Sequence, residues 1–258
     1  MPQEKSSGFA VEKFTGKSVL YKNSRPGYPA GCYDFLMQAA GLQRGDAAAD
    51  IGAGTGIFSR GLLERGLSVY AVEPNADMRQ EAEKALAGFK SWHSLTGTAE
   101  RTGLPRQSVK LVTAAQAFHW FEPAAFRDEC RRILRPDGFA ALVWNHRDPD
   151  SPLVRDNAAI CRRFCPEFSG FSGGTGRGDS AVVDFFHAGE FVTRRFPHDL
   201  SYTLDGFVGR NLSSSYAPRP DDAGYQPFVE ALQALFHRYE QDGRLRQPNV
   251  TCCYIGRV

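Results

Sequence analysis

Two acidic residues and a run of glycines carry the first chemical signal in this chain. Asp50 closes the apolar run "AAAD", and "IGAGTG" follows, placing Gly52, Gly54 and Gly56 at alternate positions. Glu73 stands at the end of the next apolar run, "LSVYAVEP", 21 positions after Gly52. Glycines between a strand and a helix let a ligand lie directly on the backbone, and an acid about 20 residues on accepts ribose hydroxyls. A dinucleotide fingerprint requires its third glycine at position 57, but that residue is Ile57 and the glycine falls one place early. The spacing therefore favours a nucleoside ligand without a pyrophosphate, and an oxidoreductase using NAD becomes the weaker alternative.

Other candidates lie farther along. "GTAE" (97–100) sets Glu100 where a carboxylate can accept an adenine amino group, although Thr98 could instead cap a helix. Met78 suits either an adenine face or an ordinary core. His119 and His146 follow two later strand-like runs, so each is a candidate general base for a hydroxyl acceptor, with His119 the stronger. Phe118, Trp120 and Trp144 suit either the wall of a planar acceptor site or the core. The glycine-rich loop at 169–178, with its "SGGTGRGDS", lacks the G-K-[ST] ending of a phosphate loop. It reads instead as a surface loop or a lid beside Phe164, Phe168 and Phe171.

The elements that must hold these residues alternate. Helical patterns at 29–42, 57–66, 75–89 and 123–138 separate strand-like runs at 47–54, 67–74, 90–97, 109–118 and 139–145. Asn75 is positioned as an N-cap, and Pro136 is expected to stop the fourth helix. Such alternation predicts an α/β, Rossmann-like, doubly wound sheet of seven mostly parallel strands, with helices on both faces. "FVTRRFPHDLSYTL" and "LRQPNVTCCYIGRV" read as two more strands that add an antiparallel pair at one sheet edge, with helical residues from about 221 to 241 between them. At most one of Cys252 and Cys253 is expected to face a core there. No linker or repeat divides the 258 residues, which predicts a single domain.

Composition narrows the partners. Lysine and arginine number 31 against 29 acids, for a formal charge of +2, so nothing calls for nucleic acid or an anionic membrane. The opening "MPQEKSSGFAVEKFTG" has no apolar stretch of signal length, and no later run reaches membrane-span length. Six scattered cysteines show no C-x-x-C spacing, consistent with reduced thiols in the cytoplasm and with no metal site.

Taken together, "ADIGAGTG", "AVEPNADM", "GTAE", "TAAQAFHWFEP" and "RRILRPDGFAALVWN" resemble the class I S-adenosylmethionine-dependent methyltransferases. "YKNSRPGYP" adds a resemblance to the small-molecule subgroup that includes trans-aconitate methyltransferases, and the match runs over residues 10–146. The resemblance implies that Asp50, Gly52 and Gly54 hold the methionine part of S-adenosyl-L-methionine. Glu73, with Pro74 and Met78 after it, would hold ribose and adenine; Thr98, Ala99 and Glu100 the adenine; and Gln116 and Ala117 the methyl-donor pocket. Tyr21 and Arg25 would cover the cofactor, with Arg25 facing the donor carboxylate. The N-terminal segment 1–30 is then a cover, and 151–190 and 205–241 are cap elements on the acceptor side. The implied activity is methyl transfer to an oxygen or nitrogen of a small molecule, leaving S-adenosyl-L-homocysteine. A donor-binding protein of the same fold with another reaction, or none, is the alternative. "QAFHW" replaces the [NDS]-P-P-[YFW] motif of nucleic-acid base methylation, which argues against a nucleic-acid acceptor.

Overall fold

The computed structural model describes residues 27–171 and 179–258. Its centre is a seven-stranded sheet in the order β3-β2-β1-β4-β5-β9-β6. The strands are β1 (Ala47–Ile51), β2 (Ser68–Val72), β3 (Trp92–Leu95), β4 (Val109–Ala115), β5 (Leu134–Arg147), β6 (Phe191–Pro197) and β9 (Asn249–Gly256). Strands β1 to β5 pair in parallel. β9 runs antiparallel to both β5 and β6, so the antiparallel strand lies one place in from the edge. A short ribbon of β7 (Leu200–Tyr202) and β8 (Leu245–Gln247) stands apart. It takes up the ends of both late strand-like segments, so each of these is two strands where the sequence pattern reads as one.

Helices cover both faces because the central strands are apolar on both sides. On one face, α1 (Ala30–Ala39) and α2 (Ile57–Glu64) bury Cys32, Tyr33, Leu36, Phe58 and Leu62 against Leu111, Val143 and Cys253. On the other, α4 (Pro123–Ile133) and α6 (Asp179–Phe185) bury Phe126, Ile133 and Phe185 against Leu142 and Trp144. Phe118 and Trp144 belong to this second cluster, their rings edge-to-face at 6.0 Å. They are therefore core residues, not a free acceptor wall. Cys252 and Cys253 are both buried, correcting the expectation of one. Interior strand β9 has helices over one face and a covered cleft over the other, so alternating side chains are enclosed on both sides.

The helix ends follow their sequence signals with one shift. Asn75 caps α3 (Ala76–Leu86), its side-chain oxygen accepting from the Met78 N–H at 3.0 Å. Helix α4 has Pro123 in its first turn and Glu122 accepting from the Ala125 N–H at 2.8 Å. It ends at Ile133, three residues before Pro136. The "RPDG" residues instead enter β5 through a register shift between Val109 and Leu111 on β4. Gly138 allows that detour: a Cβ there would meet the Arg135 carbonyl at 3.0 Å.

After β5 the chain builds a third apolar cluster. Helices α5 (Pro152–Phe164), α7 (Leu204–Leu212) and α8 (Tyr225–Tyr239) pack Leu153, Phe207, Phe228, Leu232 and Phe236 around Leu245 of β8. Helix α7 begins at Leu204, the residue on which the strand-like pattern ends. Thr203 starts the helix by accepting from the Gly206 N–H at 3.2 Å. Among the described residues, no helix is long and apolar enough to cross a membrane.

Candidate functional site

Strand order reverses between β1 and β4, and in doubly wound sheets ligands bind beyond the carboxyl ends of the strands at that point. The glycine turn leaves β1 there. Its Gly52 and Ala53 N–H groups donate to the Val72 carbonyl at 2.8 and 3.2 Å. All three glycines have positive φ (67°, 56° and 78°), but their surroundings differ. A Cβ at Gly52 would meet the Ala117 Cβ at 2.7 Å, and one at Gly56 would meet Leu86 at 2.7 Å. At Gly54 it would meet nothing within 4 Å. Gly52 and Gly56 are thus required by the protein's own packing, while Gly54 borders open space.

Two carboxylates sit beneath this turn. Asp50 is 1% exposed; its oxygens accept from the Ser59 hydroxyl at 2.6 Å and the Thr113 hydroxyl at 2.8 Å. Burial pushes its pKa up to about 6, against the two hydroxyl bonds, and the charge of Glu73 adds to the rise. Glu73 accepts from the Gly54 N–H and the Asn75 N–H, each at 2.9 Å. Burial raises its pKa as well, against those two bonds and the nearby Arg79. The Arg79 guanidinium donates to the carbonyls of Glu73 and Pro74 at 2.7 and 2.8 Å, stiffening the strand end.

The cleft above the turn is lined by Asp50, Gly52, Gly54 and Gln116, four of the residues expected from the sequence. Gln116 follows β4 at φ 56°, an uncommon conformation for a residue with a side chain. Its amide donates to the Asn145 carbonyl at 3.0 Å, and its buried Oε1 has no partner among the described residues. Ala117 is buried against Gly52. Tyr28, Phe58, Asn145 and Arg210 also line the cleft; Tyr28 and Asn145 fall inside the sequence motifs but are not among the expected site residues, and nothing in the sequence singles out Phe58 or Arg210. Asn145 closes the "ALVWN" run, so its position at a strand end was a readable signal. Arg210 comes from α7, and no spacing connects it to the glycine turn.

The other expected residues, Glu73 and Pro74 included, are not among those that line this cleft. Met78 is 3% exposed and its N–H is used in capping α3. Thr98 does not start a helix; its N–H and carbonyl close a turn with Arg101 at 3.1 and 3.3 Å. Ala99 is buried, and the Glu100 carboxylate accepts from the Glu122 N–H at 3.1 Å, tying "GTAE" to the start of α4. His119 lies in the short 3-10 turn Phe118–Trp120, its ring 4.9 Å from that of Trp120, and is not among the residues lining the cleft. His146 lines a different cavity, beyond β5 and β9. Tyr21 and Arg25 lie outside the described residues, as does 172–178 of the glycine-rich loop. Phe164, Phe168 and Phe171 are packed on the third apolar cluster, with the Phe168 ring 4.9 Å from Tyr216.

Residues 49–142 match the family model described as a methyltransferase domain. Over 143 residues the chain is 41% identical to an uncharacterized methyltransferase of Mycobacterium tuberculosis, covering 55% of this chain and 56% of that protein. It is 35% identical over 135 residues to a putative methyltransferase of Dictyostelium discoideum, covering 52% and 49%. The chain thus spans about half the length of these curated relatives. A putative type II methyltransferase from Anaeromyxobacter dehalogenans superposes with a TM-score of 0.63 at 26% identity, over 90% of this chain and 97% of that one. The fold is the class I methyltransferase fold. Within it, residues 49–142 are the part that is similar to the methyltransferase domain model.

Proposed function

We propose that the protein is an S-adenosylmethionine-dependent methyltransferase acting on an oxygen or nitrogen of a small molecule. The observation that carries this reading is a pair of carboxylates, the buried Asp50 and the half-buried Glu73, at a glycine turn whose middle residue borders open space. Each carboxylate is held above its ordinary pKa by burial, so the site gains from a cation. A dinucleotide would bring two phosphates to the same place and meet like charge. S-adenosylmethionine instead brings a sulfonium and an ammonium, and its ribose hydroxyls can donate to Glu73.

In this reading the described residues bind and orient. Glu73 receives the ribose, the 97–100 turn faces the adenine, and Gly54, Gln116 and Arg210 border the methionine end. Tyr21 and Arg25 remain proposed covers. When bound, the donor supplies an electrophilic methyl group with its own leaving group. The protein's task is then to align an acceptor in line with that methyl and to exclude water. His119 as a general base is a weaker element of the proposal, because its ring stands 4.9 Å from that of Trp120 in the 3-10 turn, whereas Glu73 is hydrogen-bonded to the glycine turn itself. The third apolar cluster, which takes in 153–171 and much of 205–241, is proposed as the acceptor-side cap of one single-domain enzyme; of the expected 151–190 element, helix α6 packs on the second cluster instead. Six buried cysteines without disulfides favour a reducing compartment such as the cytoplasm.

Titration calorimetry with S-adenosylmethionine, S-adenosylhomocysteine and NAD tests the donor assignment. Binding of the first two and not the third is expected. Binding of NAD alone would overturn the assignment, and donor binding with no S-adenosylhomocysteine release across an acceptor panel would favour a binding protein over an enzyme.

A further inference from the structure

A second cavity, of about 960 Å³, lies over β5, β9 and β6 under helix α5, at the upper end of the range for small-molecule sites. Four guanidinium groups line it: Arg147 at the end of β5, Arg155 and Arg162 on α5, and Arg195 on β6. Their placement follows in part from register, since Arg195 and Cys252 are paired across β6 and β9, and Cys252 pairs with Trp144 of β5.

Charged arginines are often matched by acids, and here the match is missing. None of the four makes an ion pair among the described residues. Arg147 lies 3.7 Å from the centroid of the Phe171 ring, Arg155 donates to the Asp150 carbonyl at 2.8 Å, and the charge of Arg195 partly offsets the upward push of burial on the Cys252 thiol. Of the acids described on the cavity wall, one is neutralised by an arginine outside the four and the other keeps its charge, leaving positive charge in excess. Asp199 is paired with Arg246 at 2.6 Å, and Asp148 accepts from the Asp150 N–H at 3.0 Å. His146 also lines the cavity, and its buried Nε2 has no hydrogen-bond partner among the described residues. Burial and the charge of Arg195 both disfavour its charged form. Much of the remaining wall is apolar, with Val154, Ala158, Phe168 and Tyr254.

This cavity is joined to the donor cleft through a chain of shared residues. Asn145 and Arg210 line the donor cleft and also an intermediate pocket, and Arg147 and Phe171 line that pocket and the large cavity. Asn145 and Arg147 are two apart on β5 and so project to the same face of the strand. The register that aligns Arg195 with Cys252 and Trp144 puts Arg195 on the other face, so the two arginines reach the cavity from opposite faces at the end of β5. We propose that the large cavity is the acceptor site and that it selects an anionic acceptor, a carboxylate or phosphate on an apolar body. Arg147 and Arg195 hold the anion while Val154, Ala158 and Phe168 cover the body. A guanidinium fork is suited to either oxyanion. The acceptor assignment rests on the methyltransferase reading; the anion selectivity of the cavity stands without it.

The probes are 8-anilinonaphthalene-1-sulfonate, an apolar anion, and the neutral N-phenyl-1-naphthylamine, titrated by fluorescence against the full chain. The anion should bind more tightly by about tenfold or more, with affinity falling as salt rises, and Arg147→Gln/Arg195→Gln should abolish most of that preference. Arg195→Gln alone, at an exposed position, should lower it by several fold and guards against misfolding of the double variant. S-adenosylhomocysteine affinity, read by calorimetry on the same samples, should stay within about twofold. Displacement of the probe by octanoate or by octyl phosphate separates carboxylate from phosphate recognition. Equal binding of the two probes, or an anion preference that survives both variants, overturns the proposal. Loss of anion preference in variants of a protein that binds no S-adenosylhomocysteine would keep the anion site and reject its role as acceptor site.

Discussion

The backbone N–H of Gly54 donates to Oε2 of Glu73 at 2.9 Å, joining the middle glycine of the first turn to the carboxylate that ends the second strand. The residues are 19 apart in sequence, and the bond ties the carboxylate to a glycine that lines the donor cleft. A second N–H, from Asn75, holds the other oxygen. A carboxylate fixed in this way can accept from a ligand without first being ordered by it.

Glu73→Ala is therefore expected to weaken S-adenosylhomocysteine binding by about 2–4 kcal/mol, allowing roughly 1–2 kcal/mol for each charged hydrogen bond lost. Calorimetry on a variant with unchanged circular dichroism measures this. Affinity equal to that of the parent protein would remove Glu73 from the ligand site.

The glycines should separate stability from binding. Gly52→Ala places a methyl group against Ala117 at a positive φ and should cost about 2–4 kcal/mol in urea unfolding. Gly54→Ala meets no protein atom, so only the backbone penalty of about 1–2 kcal/mol is expected, together with a marked loss of donor affinity. A Gly54→Ala variant that bound the donor normally would place the ligand elsewhere.

Asp50 should give the stability curve a recognisable slope. Its folded pKa of about 6 lies above the ordinary value, so between about pH 4 and pH 6 the native state holds a proton that the unfolded chain has released. Stability contributed by this group is full below about pH 4 and declines as pH rises toward 6, by about 3 kcal/mol in total. Urea unfolding of Asp50→Asn across that range should lack the decline. Parallel curves for variant and parent would show that Asp50 titrates in its ordinary range.

Activity, once an acceptor is found, should survive treatment with a chelator. Among the described residues no three His, Cys, Asp or Glu side chains gather at metal-binding range, and the displacement needs no Lewis acid. Loss of turnover on chelation, restored by magnesium or zinc, would contradict this.

The first half of the chain was legible because its signals are local. Each of β1, β2 and β4 is a short apolar run, each following helix carries its own cap or apolar stripe, and Asn75 caps α3 where its sequence position indicates. The glycine turn and Glu73 were readable for the same reason, since parallel strands bring consecutive carboxyl ends side by side. The burial of both Cys252 and Cys253 was not readable, because enclosure of both faces depends on which strands flank β9, a long-range matter. The register shift that admits "RPDG" into β5 likewise depends on β4.

What the sequence by itself determined is the sheet, its crossover helices and the donor turn, all set by periodicity and by residues within about 20 positions of one another. Only the tertiary structure decided the rest. Arg210 reaches the donor cleft from α7, Asn145 joins it from β5, and four arginines from β5, α5 and β6 surround one cavity. Asp50 and Arg210 line the same cleft although 160 positions separate them in the chain. No local pattern encodes such a meeting; it is set by how the strands pair and how the third apolar cluster packs above their carboxyl ends.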